Sequence, residues 1–192
     1  GVWNITENEE FFLKKVPLKR EIHHWHKRLQ HLAGRLLLKE MHPGFPLSLI
    51  KIADTKKPYL ENEPYHFSIS HCGNFAAVVV STTHRVGVDV ELLSPKIERL
   101  QQKFMNEEEL PVLYRQCPMP VMQSLTLYWS VKESVFKWWS IGEVDFKKDI
   151  VLKSINGNPQ QGIVECHFKN KFQLEVYYIF ISNNYLTWVL TS

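Results

Sequence analysis

The sequence has few cysteines, no long apolar run and little net charge, and each of these shortages argues against a class of protein. Cys72, Cys117 and Cys166 lie far apart without a CxxC pair, so neither a disulfide framework nor a zinc knuckle is indicated. The longest apolar runs, at 75–80 and 176–181, are too short to cross a membrane. The formal net charge is only +3, which gives weak support for an acidic partner.

What is present is an ordinary globular composition. Hydrophobic residues make up 44% and charged residues 22% of the chain, and 192 residues suffice for one large domain or two small ones. Residues 1–7 contain no basic segment followed by an apolar one, so we expect no secretory signal there. Together with the cysteine pattern, this leads us to expect a reducing, cytoplasmic location.

The spacing of apolar residues predicts helices and strands. Apolar residues three and four apart predict a helix over 19–41, and further helices are expected at 97–104, 107–115 and 124–140. Period-two alternation and runs of β-branched residues predict strands at 66–70, 74–82, 85–92, 151–155, 162–168, 173–181 and 185–190. Each half of the chain therefore has one long helix followed by strands. We predict an α+β fold with two halves, residues 1–93 and 94–192.

The strand predicted over 85–92 places two carboxylates on one face. Asp89 and Glu91 alternate with valines and lie about 7 Å apart by the strand rise. Two carboxylates this close repel each other unless a cation lies between them, and oxygen ligands on a rigid element suit Mg²⁺. The alternative is an exposed strand with two solvated acids, which this segment by itself favours.

The helix predicted over 124–140 carries a second pair of charges. Glu133 and Lys137 are four residues apart and share one face. They are either a simple ion pair on the helix surface, or a third carboxylate beside a lysine that binds phosphate.

Three other segments are candidates for anion or metal binding. Ser70 and His71 end a predicted strand, where they suit phosphate binding better than a nucleophile–base pair, because adjacent strand residues point to opposite faces. A purely structural histidine remains open. Lys57 lies in a turn that could bind phosphate or simply be solvated. His23 and His26 are three residues apart, but no further ligand completes a metal site.

Taken together and in this order, the segments resemble the 4′-phosphopantetheinyl transferase superfamily, especially its longer surfactin-type branch with two similar halves fused in one chain. The matching segments are K-P at 57–58, F-S-I-S-H at 67–71, V-G-V-D-V-E at 86–91, K-F-M-N-E-E-E at 103–109 and W-S-V-K-E-S at 129–134. Two positions depart from the family pattern: Cys72 replaces the usual second serine, and Lys56 replaces the usual glycine.

The resemblance implies an enzyme that moves the phosphopantetheine arm of coenzyme A onto a serine of an apo acyl or peptidyl carrier protein. The implied metal is Mg²⁺, with Mn²⁺ as the alternative, and the active site would lie in the cleft between the two halves. Asp89, Glu91 and Glu133 would bind the metal. Lys137 would contact a phosphate of the coenzyme, and Glu133 is our candidate for the base that accepts the serine proton.

The resemblance also implies contacts to the rest of coenzyme A. Ser70, His71 and Lys57 would hold the adenosine 3′-phosphate end, and Lys19 or Arg20 would add another phosphate contact. Glu109 matches a family acid whose role the sequence does not reveal. Fused halves would let a monomer complete the cleft.

Two alternatives belong to other functional classes. A non-catalytic module that binds coenzyme A or a nucleotide would keep Lys57, His71 and Lys137, but it would not need three converging carboxylates. A nucleic-acid-binding protein is suggested by the aromatic residues, the histidines and a pI near 8.7. However, the basic residues are scattered, and the carboxylates would repel phosphate without a metal. We therefore expect neither a nucleic-acid nor a membrane partner.

Overall fold

The computed structural model describes residues 1–19, 21–54, 57–62 and 64–191, and within them the chain forms five α-helices and ten strands. The helices are α1 (Glu9–Leu13), α2 (Trp25–Met41), α3 (Lys96–Phe104), α4 (Glu109–Gln116) and α5 (Val121–Trp139), with a short 3₁₀ turn at Leu47–Leu49. The strands are β1 (Val2–Asn4), β2 (Lys51–Ile52), β3 (Pro58–Tyr59), β4 (His66–Cys72), β5 (Phe75–Ser81), β6 (Arg85–Leu92), β7 (Ile150–Asn158), β8 (Gln161–Phe168), β9 (Phe172–Ile181) and β10 (Asn184–Thr191).

The strands form three antiparallel sheets. A three-stranded sheet has the order β1-β5-β4, a five-stranded sheet has the order β6-β10-β9-β8-β7, and β2 pairs with β3. The predicted mixture of helices and strands is confirmed. Within the described ranges, no helix is both long and apolar enough to cross a membrane.

Helix α2 covers one face of the three-stranded sheet. Its apolar side chains recur every three or four residues, so Leu32 and Leu36 share a buried face. They pack with Ala76 of β5, while Leu38, two residues further along the helix, packs in a neighbouring cluster with Val78. The sheet and this helix therefore form one layered unit.

The predicted start of this helix at residue 19 is wrong, because α2 begins at Trp25. The Arg28 guanidinium donates to the carbonyl oxygens of Ile22 (3.2 Å) and His23 (3.3 Å), which an extended helix would use for its own hydrogen bonds. The same guanidinium binds both carboxylate oxygens of Glu9. A contact to α1 thus holds residues 22–23 outside the helix.

Helix α5 packs against the five-stranded sheet. Val131 and Val135 are fully buried with Val164 of β8 and Val176 of β9 in the largest apolar cluster of the described residues. Because this helix is buried on most sides, it is a rigid support for any group that it carries.

Strand β6 joins the two large sheets. It is hydrogen-bonded to β10 along its whole length, from Arg85 opposite Thr191 to Leu92 opposite Asn184. Its Val88 packs with Ala77 of the three-stranded sheet. The strand predicted at the end of the first half is therefore part of the sheet built by the last residues, and a division of the chain at residue 93 remains a prediction.

Candidate active site

A glycine lets α5 lie directly on β6. A Cβ atom at Gly87 would be 2.0 Å from the carbonyl oxygen of Ser134 and 2.7 Å from the backbone nitrogen of Trp138. Real side chains do not tolerate such distances, so only glycine permits this approach. Asp89 and Glu91 lie on the same face of β6 as Gly87. The close contact therefore brings α5 over both acids.

The carboxylate of Asp89 lies at the centre of the site and is buried, with 3% exposure. Its Oδ1 accepts hydrogen bonds from Ser70 Oγ (2.8 Å) and Lys137 Nζ (2.6 Å), and its Oδ2 accepts one from Ser130 Oγ (2.9 Å). Lys137 Nζ also donates to Ser70 Oγ at 2.9 Å. An ammonium and two hydroxyls thus compensate a buried charge that would otherwise be costly.

Glu91 and Glu133 share the surroundings of Asp89. Burial, followed by the negative charge of Asp89, raises the pKa of each of these two glutamates to about 7. The nearby Lys137 ammonium opposes the rise in both cases. Cys72 Sγ donates to Glu91 Oε1 at 3.7 Å. Three acids therefore lie close enough to repel each other electrostatically.

One cavity of about 300 Å³ brings most of the predicted residues together. It is lined by Ile69, Ser70, His71, Asp89, Val90, Glu91, Trp129, Glu133 and Lys137. The lining comes from β4, β6 and α5. An anion entering this cavity would meet the Lys137 ammonium beside Asp89.

The three carboxylates fit a hard divalent cation by the chemistry of their donor atoms. In the described part of the chain, however, no group of three or more His, Cys, Asp or Glu side chains is arranged so that it could hold a metal ion. The Lys137 ammonium instead contacts Asp89 Oδ1. The assignment of Asp89, Glu91 and Glu133 as metal ligands remains a prediction.

Lys57 lies beside this cavity rather than in it. Its ammonium donates to the backbone carbonyl of Lys137 at 2.6 Å, near the C-terminal end of α5. It lines two adjoining cavities of about 210 and 180 Å³, and Lys137 lines the smaller one as well. The structure thus places Lys57 next to Lys137, the residue predicted to bind phosphate.

The predicted contacts before α2 have different outcomes. Lys19 lines a separate cavity of about 280 Å³ with His31 and Arg35, and its ammonium donates to the carbonyl of Ser48 at 2.6 Å. Arg20 lies outside the described residues. Of the two histidines considered as metal ligands, His23 is exposed. His26, in the first turn of α2, is half-buried and contacts Asn74 Oδ1 at 3.1 Å.

Glu109 has a structural role. It is buried and paired with the buried Lys132, whose Nζ lies 3.0 and 2.9 Å from its two carboxylate oxygens. Glu109 also accepts from the backbone nitrogens of Asn106 (2.7 Å) and Leu152 (2.7 Å). The acid therefore ties α4, α5 and β7 together.

Sequence reasoning did not select Ser130 and Thr187, which support Asp89. Ser130 precedes Glu133 by three residues and Lys137 by seven, so helical periodicity alone places it on their face. Thr187 lies opposite Asp89 in the pairing of β10 with β6. No local pattern marks Thr187, because its position follows from the pairing of distant strands.

A sequence model of the 4′-phosphopantetheinyl transferase superfamily matches residues 85–189. The chain belongs to this superfamily. The matched residues include β6, α5 and most of β10, and so contain Asp89, Glu91, Glu133 and Lys137.

Two curated proteins are similar to this chain in sequence. Enterobactin synthase component D of Salmonella austin is 30% identical over 114 residues, which are 59% of this chain and 48% of the relative. The 4′-phosphopantetheinyl transferase gsp of Aneurinibacillus migulanus is 30% identical over 139 residues, covering 68% of this chain and 54% of the relative. The chain spans about half the length of the curated relatives it matches.

Proposed function

We propose that this chain transfers the 4′-phosphopantetheine arm of coenzyme A to a serine hydroxyl of an apo carrier protein, releasing adenosine 3′,5′-bisphosphate. The observation that carries the proposal is the cavity that gathers Asp89, Glu91, Glu133 and Lys137 from two elements. All four lie in the segment matched by the superfamily. The Aneurinibacillus relative is named a 4′-phosphopantetheinyl transferase, which describes transfer of the same group.

The proposed reaction is a displacement at phosphorus. The serine oxygen forms a bond to the phosphorus next to the pantetheine, and the bond from that phosphorus to the bridging pyrophosphate oxygen breaks. The leaving bisphosphate departs with the bonding electrons. Lys137 lies at the cavity, where its ammonium would contact a phosphate oxygen and stabilise the developing charge. Glu133 would accept the serine proton.

Asp89, Glu91 and Glu133 would hold the divalent metal, with Mg²⁺ as our proposal and Mn²⁺ as a possible substitute. Such an ion would supply charge neutralisation at the pyrophosphate. The buried position of Asp89 and its hydrogen bonds to Ser70 and Ser130 support this role, because they hold the carboxylate in one orientation.

The adenosine end of coenzyme A would extend from this cavity towards Lys57. His71 lines the carboxylate cavity, and Lys57 lines the cavity that also contacts Lys137. Ser70 would contact the adenosine end and also support the metal-binding carboxylate, since its hydroxyl is hydrogen-bonded to both Asp89 and Lys137. Lys19 would contribute only to a ligand long enough to reach its own cavity.

The proposal includes the surfactin-type arrangement, with halves 1–93 and 94–192 and an active site between them. Its support is that the cavity takes Ser70 and His71 from β4 and Glu133 and Lys137 from α5. A monomeric chain acting on an acyl or peptidyl carrier protein in the cytoplasm completes the proposal. Three free cysteines suit a reducing compartment.

Intact-protein mass spectrometry tests this function. The chain is incubated with coenzyme A, Mg²⁺ and a panel of apo carrier proteins, and a carrier that gains the mass of the phosphopantetheine arm identifies the substrate class. Addition of EDTA should abolish the gain. A chain that binds coenzyme A but modifies no carrier would point to the non-catalytic binding module instead.

Variants of the carboxylates test the site. Asp89→Ala, Glu91→Ala and Glu133→Ala should each lose nearly all transfer while keeping a folded circular dichroism spectrum. The matched control is Glu40→Ala, at an exposed position near the end of α2, which should transfer at the normal rate. Near-normal turnover in two of the three cavity variants would refute the proposed ligand set.

A further inference from the structure

Two buried hydroxyls lie behind Asp89. Ser130 of α5 and Thr187 of β10 are both fully buried, and neither lines the cavity that holds the acids. Ser130 Oγ lies 2.9 Å from Asp89 Oδ2 and 3.0 Å from Thr187 Oγ1. Thr187 Oγ1 also lies 2.8 Å from the carbonyl oxygen of Ser130. The three side chains therefore form a connected row.

Counting hydrogens gives this row a direction. Each hydroxyl has one hydrogen to donate, and an ionised carboxylate has none. Asp89 can accept at Oδ2 only if Ser130 donates to it. The Thr187 hydrogen then remains for the hydroxyl or carbonyl oxygen of Ser130. Thr187 thus orients Ser130, and Ser130 orients Asp89.

The two oxygens of Asp89 have different surroundings. Oδ1 contacts Ser70 and Lys137, and both of these side chains line the cavity, where a ligand would engage them. Oδ2 contacts Ser130, which lies outside the cavity lining. A ligand in the cavity can rearrange the Oδ1 contacts, whereas the contact to Oδ2 stays in place.

We propose that Ser130, backed by Thr187, is a positioning residue that fixes the Asp89 carboxylate so that Oδ1 faces the cavity. The inference rests on the proposed function, because it assigns Asp89 to a divalent metal. Partners behind a metal ligand set its orientation, and their loss typically costs about 10- to 100-fold in metal affinity. A purely structural role would lower stability without changing metal affinity.

Metal titration of the isolated chain separates the two roles, and it requires neither coenzyme A nor a carrier. Free Mn²⁺ is followed by electron paramagnetic resonance as it binds to the wild type and to Ser130→Ala. We expect Ser130→Ala to bind Mn²⁺ about 10- to 100-fold more weakly. The matched control is Ser134→Ala, which removes a fully buried serine of the same helix whose hydroxyl donates to the carbonyl of Val131. It should bind Mn²⁺ as the wild type does.

A second pair of variants keeps the test valid if Ser130→Ala fails to fold. Thr187→Val removes the hydroxyl at nearly constant shape and should lower Mn²⁺ affinity, by less than Ser130→Ala does. Thr187→Ser keeps the hydroxyl and should restore the affinity. In carrier modification, Ser130→Ala should lower kcat and leave the KM for the carrier unchanged.

Several outcomes would overturn the inference. These are a folded Ser130→Ala that binds Mn²⁺ normally, equal affinities of Thr187→Val and Thr187→Ser, or a wild type that binds no Mn²⁺. Failure of the proposed function is seen separately: if no carrier is modified while Mn²⁺ affinity still follows the hydroxyls, the transfer reaction is refuted and the positioning role stands.

Discussion

The ammonium of Lys132 is buried, and all of its hydrogen-bond donors have partners. Its ammonium contacts both oxygens of Glu109 and the carbonyl oxygens of Phe104 (2.8 Å) and Phe146 (3.0 Å). Burial lowers the pKa of Lys132, and the Glu109 carboxylate opposes this effect. Because every donor is used, the pair anchors the helix that carries Glu133 rather than taking part in chemistry.

Removing the charge of Glu109 should therefore destabilise the fold. Glu109→Gln leaves the Lys132 ammonium buried without its counter-charge, which typically costs about 3–5 kcal/mol. Urea denaturation measures the loss. The control is Glu10→Gln, in the exposed pair with Lys14 (2.8 Å), where we expect a change of about 0.5 kcal/mol or less. Equal effects of the two substitutions would contradict the anchoring role.

Tyr128 is a second buried residue with a measurable consequence. Burial raises its pKa to about 12 from 10.0. Between these two pH values the unfolded chain releases this proton while the folded chain keeps it. Stability should therefore fall as pH rises above about 10, by about 1.4 kcal/mol per pH unit for this group.

Tyr128→Phe removes this titration and should shift alkaline unfolding, followed by far-ultraviolet circular dichroism, to higher pH. Part of the alkaline loss will remain, because burial also raises the pKa of Tyr178 and Tyr185. Tyr114→Phe, at an exposed position, is the control and should unfold like the wild type. Coincident midpoints for Tyr128→Phe and the wild type would count against the burial argument.

Single residues differ in how far sequence reasoning could identify them. Asp89, Glu91, Glu133 and Lys137 were selected through their order along the chain, and the fold gathers them in one cavity. The position of Ser130 on the same helix face can be predicted from its spacing to Glu133 and Lys137. By contrast, Thr187 depends on strand pairing across almost the whole second half of the chain.

At the scale of elements, strands were predicted better than helix starts. Each predicted strand corresponds to a strand of the structure, because alternation of buried and exposed residues is a local property. The start of α2 was missed because the Arg28 side chain binds the carbonyls of Ile22 and His23 and the carboxylate of Glu9. Such a contact leaves no periodic signal.

The contact between β6 and α5 can be tested with one added methyl group. Gly87→Ala places a Cβ against the backbone of Ser134, so α5 must move away from β6. Overpacking of this kind typically costs about 1–3 kcal/mol. Both the melting temperature and carrier modification should fall, since Glu133 and Lys137 move with the helix.

The matched control for this test is Gly44→Ala. A Cβ at Gly44 has its nearest neighbour at 3.7 Å, in the side chain of His42. This substitution should leave both melting temperature and activity near the wild-type values. A Gly87→Ala variant as stable and active as Gly44→Ala would show that the closeness of the two elements is unimportant.

At the scale of the whole molecule, the pairing of β6 was the least predictable feature. Three residues separate β6 from β5, yet β6 pairs with β10 at the other end of the chain. A period-two pattern identifies a strand and its buried face, but it contains no information about the partner. The partner is decided by how the two sheets pack.

This topology predicts cooperative unfolding. Val88 and Val90 of β6 pack with Ala77 of the three-stranded sheet, and the Ser70–Asp89 bond crosses the same boundary. Differential scanning calorimetry should therefore give one transition, with equal calorimetric and van't Hoff enthalpies. Two resolved transitions would instead favour halves that unfold independently.

The hydrogen bond from Lys57 to the carbonyl of Lys137 affects how mutational data at this position must be interpreted. If Lys57 binds a phosphate, it must first give up its hydrogen bond to the end of α5. Its contribution to the binding free energy is therefore the phosphate contact minus the lost hydrogen bond. An alanine substitution at Lys57 changes the ligand-free reference state as well as the complex. Its effect on binding is therefore not a direct measure of the phosphate contact, and it becomes one only after the stability change of the free protein has been subtracted.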